Sequence, residues 1–115
     1  MVDTSPAEIA ELEAKHASAE ALVKLLADDT RVHRPFAARG IGIAAAAALF
    51  AADGATTFAP LHREAALSGD MVFSMGEARD LHEGAERLRY YARIWQRRAD
   101  GWRIVFDEIV PRRGG

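Results

Sequence analysis

The sequence contains no cysteine. Disulfide frameworks and thiolate chemistry are therefore excluded, and the composition suits a reducing compartment; a cytoplasmic location is expected. There is no long apolar run. The longest, Ile41–Ala52, is alanine-rich and falls well short of the roughly 20 apolar residues that a membrane-spanning helix needs. The first fifteen residues, MVDTSPAEIAELEAK, are acidic and amphipathic, unlike a signal peptide. Strong charge of one sign is missing too. A formal net charge of -2 gives no general attraction to phosphate backbones, so neither nucleic acid nor membrane is expected as a partner. GxSxG, a Walker loop and a dinucleotide fingerprint are absent. No short His/Cys motif of the zinc type appears. The expectation is no cofactor and no metal.

What is present is enough for one domain over residues 1–115, with half of the residues hydrophobic and 28% charged. Ser5-Pro6-Ala7-Glu8 reads as a helix start. Ile9, Leu12, His16, Ala19, Val23 and Leu26 then form an apolar stripe. With Ser18 in mid-run, this is either one helix or two with a bend, ended by Asp28-Asp29, whose charges oppose the helix dipole. Thr30–Arg34 reads as a short strand, Phe36–Gly42 as a loop and Ile43–Ala52 as a second helix. Thr56–Ser68 is an imperfect strand in which Pro60 marks a bulge or edge. Ser68–Met71 is a tight turn, Met71–Arg79 a strand and Asp80–Ala85 a polar loop. Arg112–Gly115 reads as a frayed tail.

The most informative stretch is the last quarter. Leu88–Arg98 and Trp102–Val110 flank Ala99-Asp100-Gly101, a strong hairpin signal. Helices first and a strand meander last argue for α+β, with helices on one face of a curved, mostly antiparallel sheet. Both faces of the two final strands carry apolar residues, whereas a solvated antiparallel sheet has one polar face. A homodimer through the outer face of the C-terminal strands is therefore expected.

Several stretches together resemble the SnoaL-like and related small domains of the nuclear transport factor 2-like superfamily. They are Leu26-Ala27-Asp28-Asp29-Thr30-Arg31-Val32, Gly42 leading the alanine helix, and Leu67-Ser68-Gly69-Asp70-Met71-Val72-Phe73 followed by Gly76. The last is Trp95-Gln96-Arg97-Arg98 through Asp100-Gly101-Trp102-Arg103-Ile104-Val105. The similarity runs from about Leu12 to Ile109. It implies a cystatin-like cone, a bent sheet wrapped around N-terminal helices and a pocket. The departure is at the start, where Pro6–Leu26 must supply two helices that are usually larger, so the cover of the cone is shortened. Relatives include ketosteroid isomerase, scytalone dehydratase and polyketide cyclases beside binding and association domains, and shared fold does not transfer function.

The candidate residues follow. His33, near Asp28-Asp29, is a possible general base, against the alternative of a partly exposed strand histidine. With Asp107 and Glu108 it forms the candidate catalytic set. Tyr91, Arg93 and Trp95 on one strand face, with His16 and Glu77, form the candidate ligand-binding set; the alternative for the aromatics is packing. A two-residue Gly69-Asp70 turn places His62 opposite Glu77 as a cross-strand pair. A metal site from His33, His62 and Glu77 is rejected because nothing fixes their spacing. Arg93 interrupts an apolar face, and such a charge needs a partner. A two-residue turn sets it against Glu108, a three-residue turn against Asp107. The leading function is binding of a small apolar ligand. The alternatives are a cofactor-free isomerase, cyclase or dehydratase and a homodimerisation module.

Overall fold

The structure is a computed structural model that describes residues 6–111. The elements are α1 (Ala7–Lys15), α2 (Ala19–Leu22), β1 (Leu26–His33), β2 (Gly40–Ile41), α3 (Ile43–Ala52), β3 (Thr57–Ala65), β4 (Met71–His82), β5 (Ala85–Arg98) and β6 (Gly101–Pro111). One six-stranded sheet runs in the order β2-β1-β6-β5-β4-β3. Every pairing is antiparallel except β1 with β6. The expected α+β architecture is present. The expected Ser5 cap and the Arg112–Gly115 tail lie outside the described residues.

The N-terminal helical segment is broken at Ser18. The His16 backbone N–H closes α1 by donating to the Leu12 carbonyl, and the His16 ring Nδ1 lies 2.8 Å from the same oxygen. Ser18 then caps α2, its Oγ accepting from the Ala21 N–H at 3.3 Å. The break is docked on the start of β3: Phe58 N–H donates to the Ala17 carbonyl and Ala19 N–H to the Thr56 carbonyl. α2 runs into a 3-10 turn, Val23–Leu25.

Asp28-Asp29 therefore does not end a helix. Both lie exposed within β1. Leu26 and Ala27 are buried, and with the β-branched Thr30 and Val32 they pull this stretch into the sheet beside β6. The expected loop 36–42 holds the two-residue strand β2, paired with Arg31 and Val32.

Two further expectations are corrected by register. The β3–β4 connection is longer than a two-residue turn, because Ala66 N–H still donates to the Met71 carbonyl. A bulge between Pro60 and His62, at the position Pro60 suggested, shifts the ladder again. His62 thus pairs with Met75, and Glu77 with Ala59. The loop expected at Asp80–Ala85 shrinks to a turn at Glu83-Gly84. Both residues take positive φ, 53° and 82°, as a type I′ hairpin turn requires.

The β5–β6 hairpin turns at Ala99-Asp100, one residue earlier than expected, with Arg98 paired to Gly101. A bulge then skips Val105: Trp95 pairs with Ile104, Ile94 with Phe106 and Arg93 with Asp107. An extra residue reverses the alternation of side chains. Trp102 and Ile104 before it, and Asp107 and Ile109 after it, all face the helices and are buried. Phe106 and Val110 are thereby turned to the outer face. The inner face packs Val72, Trp95 and Ile104 against Ile9, Leu22 and Phe50.

Gly76 on β4 faces the β3 bulge. A Cβ there would collide with the Ala59 carbonyl and come 2.8 Å from the Pro60 Cα. The atoms it would meet are all β3 backbone, which leaves nothing that can rotate away. Gly76→Ala is expected to destabilise the fold by about 2–3 kcal/mol, the upper part of the overpacking range. A parent-like urea midpoint for this variant would contradict the packing described.

Candidate functional site

The sheet's inner face carries charge where a core is normally apolar. Glu13 of α1 and Arg93 of β5 are buried, and Asp107 of β6 is inaccessible. Glu13 Oε1 accepts from Arg63 Nε of β3 at 2.5 Å. Glu13 Oε2 accepts from Ser74 Oγ of β4 at 2.7 Å and from Trp95 Nε1 at 3.3 Å, with Arg93 Nη1 3.8 Å away. Arg93 Nε donates to Asp107 Oδ2 at 2.6 Å. The other Asp107 oxygen lies 2.8 Å from Arg34 Nη1, an ion pair with poorly aligned N–H. Arg34, just beyond β1, forks onto Asp53 at the end of α3 through Nε and Nη2 at 2.9–3.1 Å. Acid and base thus alternate through the interior: Arg63, Glu13, Arg93, Asp107, Arg34, Asp53.

Each member arrives by local sequence logic. Glu13 follows Ile9 by four residues, so one turn of α1 presents both to the sheet. Tyr91, Arg93 and Trp95 are alternate residues of β5 and share its inner face. The Arg93 guanidinium lies over the rings of Phe58 and Tyr91, at 4.8 and 4.6 Å from their centroids. Phe50 similarly backs Arg34 at 4.9 Å.

Electrostatics follow the sharing of partners. Burial works against the charge of Arg34, but Asp107 and Asp53 together outweigh it and raise its pKa. Burial also raises Asp53 above the ordinary carboxylate value, in spite of the Arg34 bonds and with Asp107 repulsion added. The two shifts agree once the count is noted, since two carboxylates share one guanidinium. Burial pushes the Tyr91 phenol up to about 12, with the Arg93 charge opposing. Tyr91 is therefore a neutral donor at ordinary pH. Its hydroxyl neighbours Ser74, whereas the Arg93 Nη2 is buried with no acceptor.

The residues expected from sequence are divided. Tyr91, Arg93 and Trp95 converge as one group on the inner face. His16 is bound to its own helix. Glu77 lies on the opposite sheet face, 3.2 Å from Arg79. His33 and Glu108 are Cα partners across β1 and β6, on the face opposite Asp107, and the His33 ring leans on Phe106 at 5.5 Å. The set His33, Asp107 and Glu108 is thus split between two faces. Among the described residues no three His, Asp or Glu side chains gather as metal ligands. Sequence reasoning missed Glu13, Arg34, Asp53, Arg63 and Ser74. The one available signal was Glu13 on the Ile9 stripe.

The expected carboxylate partner for Arg93 on the last strand is present as Asp107. Arg93→Glu is expected to cost about 3–5 kcal/mol, the loss typical of a broken buried pair. Arg93→Met is expected to cost less, because Arg34 still neutralises Asp107. Denaturant midpoints of the two variants check this. Equal midpoints for Arg93→Glu and the parent would remove the pairing argument.

Comparisons with known proteins come from structure. No family model and no curated protein matches the chain. An NTF2-like protein with a cystatin-like fold from Novosphingobium aromaticivorans superposes with a TM-score of 0.66 at 25% identity, over 95% of this chain and 82% of that one. A candidate calcium/calmodulin-dependent protein kinase type II association domain from Thiobacillus denitrificans gives 0.66 at 21% identity, over 98% and 99%. A candidate ketosteroid isomerase from Parabacteroides distasonis gives 0.71 at 13% identity, over 95% and 89%. Helices followed by a curved, unclosed six-stranded sheet, matched along nearly the whole chain by such structures, give this protein the fold of the nuclear transport factor 2-like superfamily.

Proposed function

We propose that the chain is a small-molecule-binding domain that holds an apolar compound, bearing one oxygen acceptor, against Tyr91, Arg93 and Trp95. One observation carries this reading. Buried donors are normally satisfied, yet Arg93 Nη2, on the same strand face as Tyr91, lacks an acceptor. The rings of Phe58, Tyr91 and Trp95 supply the apolar surroundings that ligand sites favour. The enzyme reading is weaker. It needs a base free to take a proton, and both inner-face carboxylates nearby, Glu13 and Asp107, are already bonded to arginine. The lack of cysteine supports a cytoplasmic setting.

Native mass spectrometry of the purified protein, before and after organic extraction, tests the reading, together with titration of cyclic ketones followed by amide chemical shifts on β5. The parent is expected to bind such a ketone. Tyr91→Phe is expected to bind about fivefold more weakly, for the loss of one hydrogen bond worth about 1 kcal/mol. The reading fails if nothing co-purifies and no β5 resonance moves.

A second reading concerns assembly and rests on the outer sheet face. Met71 and Met75 are each 37% exposed and Val110 40%, beside half-buried Tyr90, Ile94 and Phe106. Contiguous exposed apolar residues of this kind are what an association face presents. A second copy of the chain, laid on this face, buries it. Sedimentation velocity at micromolar concentration is expected to give a dimer for the parent and a monomer for Met75→Glu. A monomeric parent would end this reading and leave the first one untouched.

A further inference from the structure

We propose that a second site, a cleft of about 820 Å3 between the β4–β5 hairpin and the turn at Pro35-Phe36, binds a small organic anion with an apolar body. Its lining residues do not include Tyr91, Arg93 or Trp95, although Arg89 is the next residue along on their face of β5. Its volume falls in the range of ligand pockets, roughly 300–1,000 Å3.

Charge is the first argument. Arg79, Arg87 and Arg89 line the cleft with His82, and Glu86 is the one acid among its described lining residues. Most of these cations are already engaged. Arg79 donates to Glu86 at 2.8 Å and to Glu77 at 3.2 Å. Arg87 forks onto Asp80 with bonds of 3.0 and 2.6 Å. Arg89 is left with a contact of 3.5 Å to the Asp80 oxygen that Arg87 already holds. Its Nε has no acceptor, and its side chain is only 12% exposed. A largely buried guanidinium that shares its acid with a better-placed neighbour has unmet hydrogen-bonding capacity. Burial and the Arg87 charge both act against its protonated form, and an anion in the cleft relieves the second directly.

The apolar wall is the second argument. Pro35, Phe36, Leu88 and Pro111 supply it. Phe36 is fully exposed, and its backbone has φ of 62°, a conformation that bulky residues rarely adopt. An exposed ring on a strained backbone gains nothing for the fold of this chain. Strain of this kind concentrates at ligand clamps. The ring stands at the rim of a cleft whose floor has an under-satisfied arginine, an arrangement that suits a carboxylate or sulfonate on an aromatic or aliphatic body.

The test uses two fluorescent probes of similar shape, anionic 8-anilinonaphthalene-1-sulfonate and neutral N-phenyl-1-naphthylamine. The parent, its near-UV circular dichroism native, is expected to bind the anionic probe at one site per chain, more tightly than the neutral one. Arg89→Gln is expected to weaken the anionic probe about tenfold, for loss of a charged hydrogen bond, and to leave the neutral probe little changed. Phe36→Gly is expected to weaken both probes while raising the melting temperature, since glycine accepts positive φ freely. That opposition of binding and stability separates a clamp from a merely structural residue, and it decides the matter alone if Arg89→Gln does not fold. The proposal is overturned if Phe36→Gly binds as the parent does, if a folded Arg89→Gln keeps full affinity for the anion, or if the parent prefers the neutral probe.

Discussion

The interior of this protein depends on complete pairing of buried ions. An ionised side chain taken out of water costs several kcal/mol even after relaxation. Glu13, Arg93 and Asp107 are all essentially inaccessible. None is tolerable alone, and each is therefore set between opposite charges. The consequence is mechanical as well as electrostatic. Through these bonds α1 is tied to β3, β4 and β5, β5 to β6, and β6 to the end of α3 by way of Arg34. Apolar packing alone tolerates sliding, whereas a charged ladder has one register in which every ion finds its partner.

The bulge in β6 is what allows the ladder to exist. Without the extra residue at Val105, Trp102 and Ile104 would share a face with Phe106 and Glu108, and Asp107 would point outward. With it, Trp102, Ile104, Ile109 and the carboxylate of Asp107 all turn inward, and Arg93 meets Asp107 directly. A local irregularity of backbone thus determines which acid is buried and which, Glu108, stays on the outer surface beside His33.

This explains where the sequence was legible. The hairpin, the alanine helix, the Pro60 bulge and the carboxylate partner of Arg93 all follow from short-range patterns, and β5 shows its inner face by simple alternation. The strand β1 was partly hidden, because Asp28-Asp29 resembles a helix stop, while the residues that flank them, Leu26 and Arg31, pair with β6, some 75 residues away in the chain. The site was less legible still. Glu13 meets Arg63 fifty residues on and Trp95 eighty-two residues on. No local pattern encodes such meetings. Alternation alone sets adjacent Asp107 and Glu108 on opposite faces, but which of them turns inward, away from His33, follows from one unpaired residue.

The last step concerns donors rather than charge. The ladder is neutral, three guanidinium groups against three carboxylates. Its hydrogen-bonding capacity is not balanced. Each guanidinium offers five N–H donors and each carboxylate about four acceptor sites, and the Ser74 hydroxyl and Trp95 N–H draw on the same acceptors. Arg93 Nη2 is left without an acceptor, while Asp107 Oδ1 holds Arg34 by charge with no aligned N–H. A further carboxylate inside would correct the donors and unbalance the charge. A neutral carbonyl or ether oxygen corrects the donors alone. The rim at Arg89 has a related defect, a cation whose acid is already held by Arg87. One face of β5 thus carries two under-satisfied guanidinium groups, Arg93 inside the ladder and Arg89 at its rim.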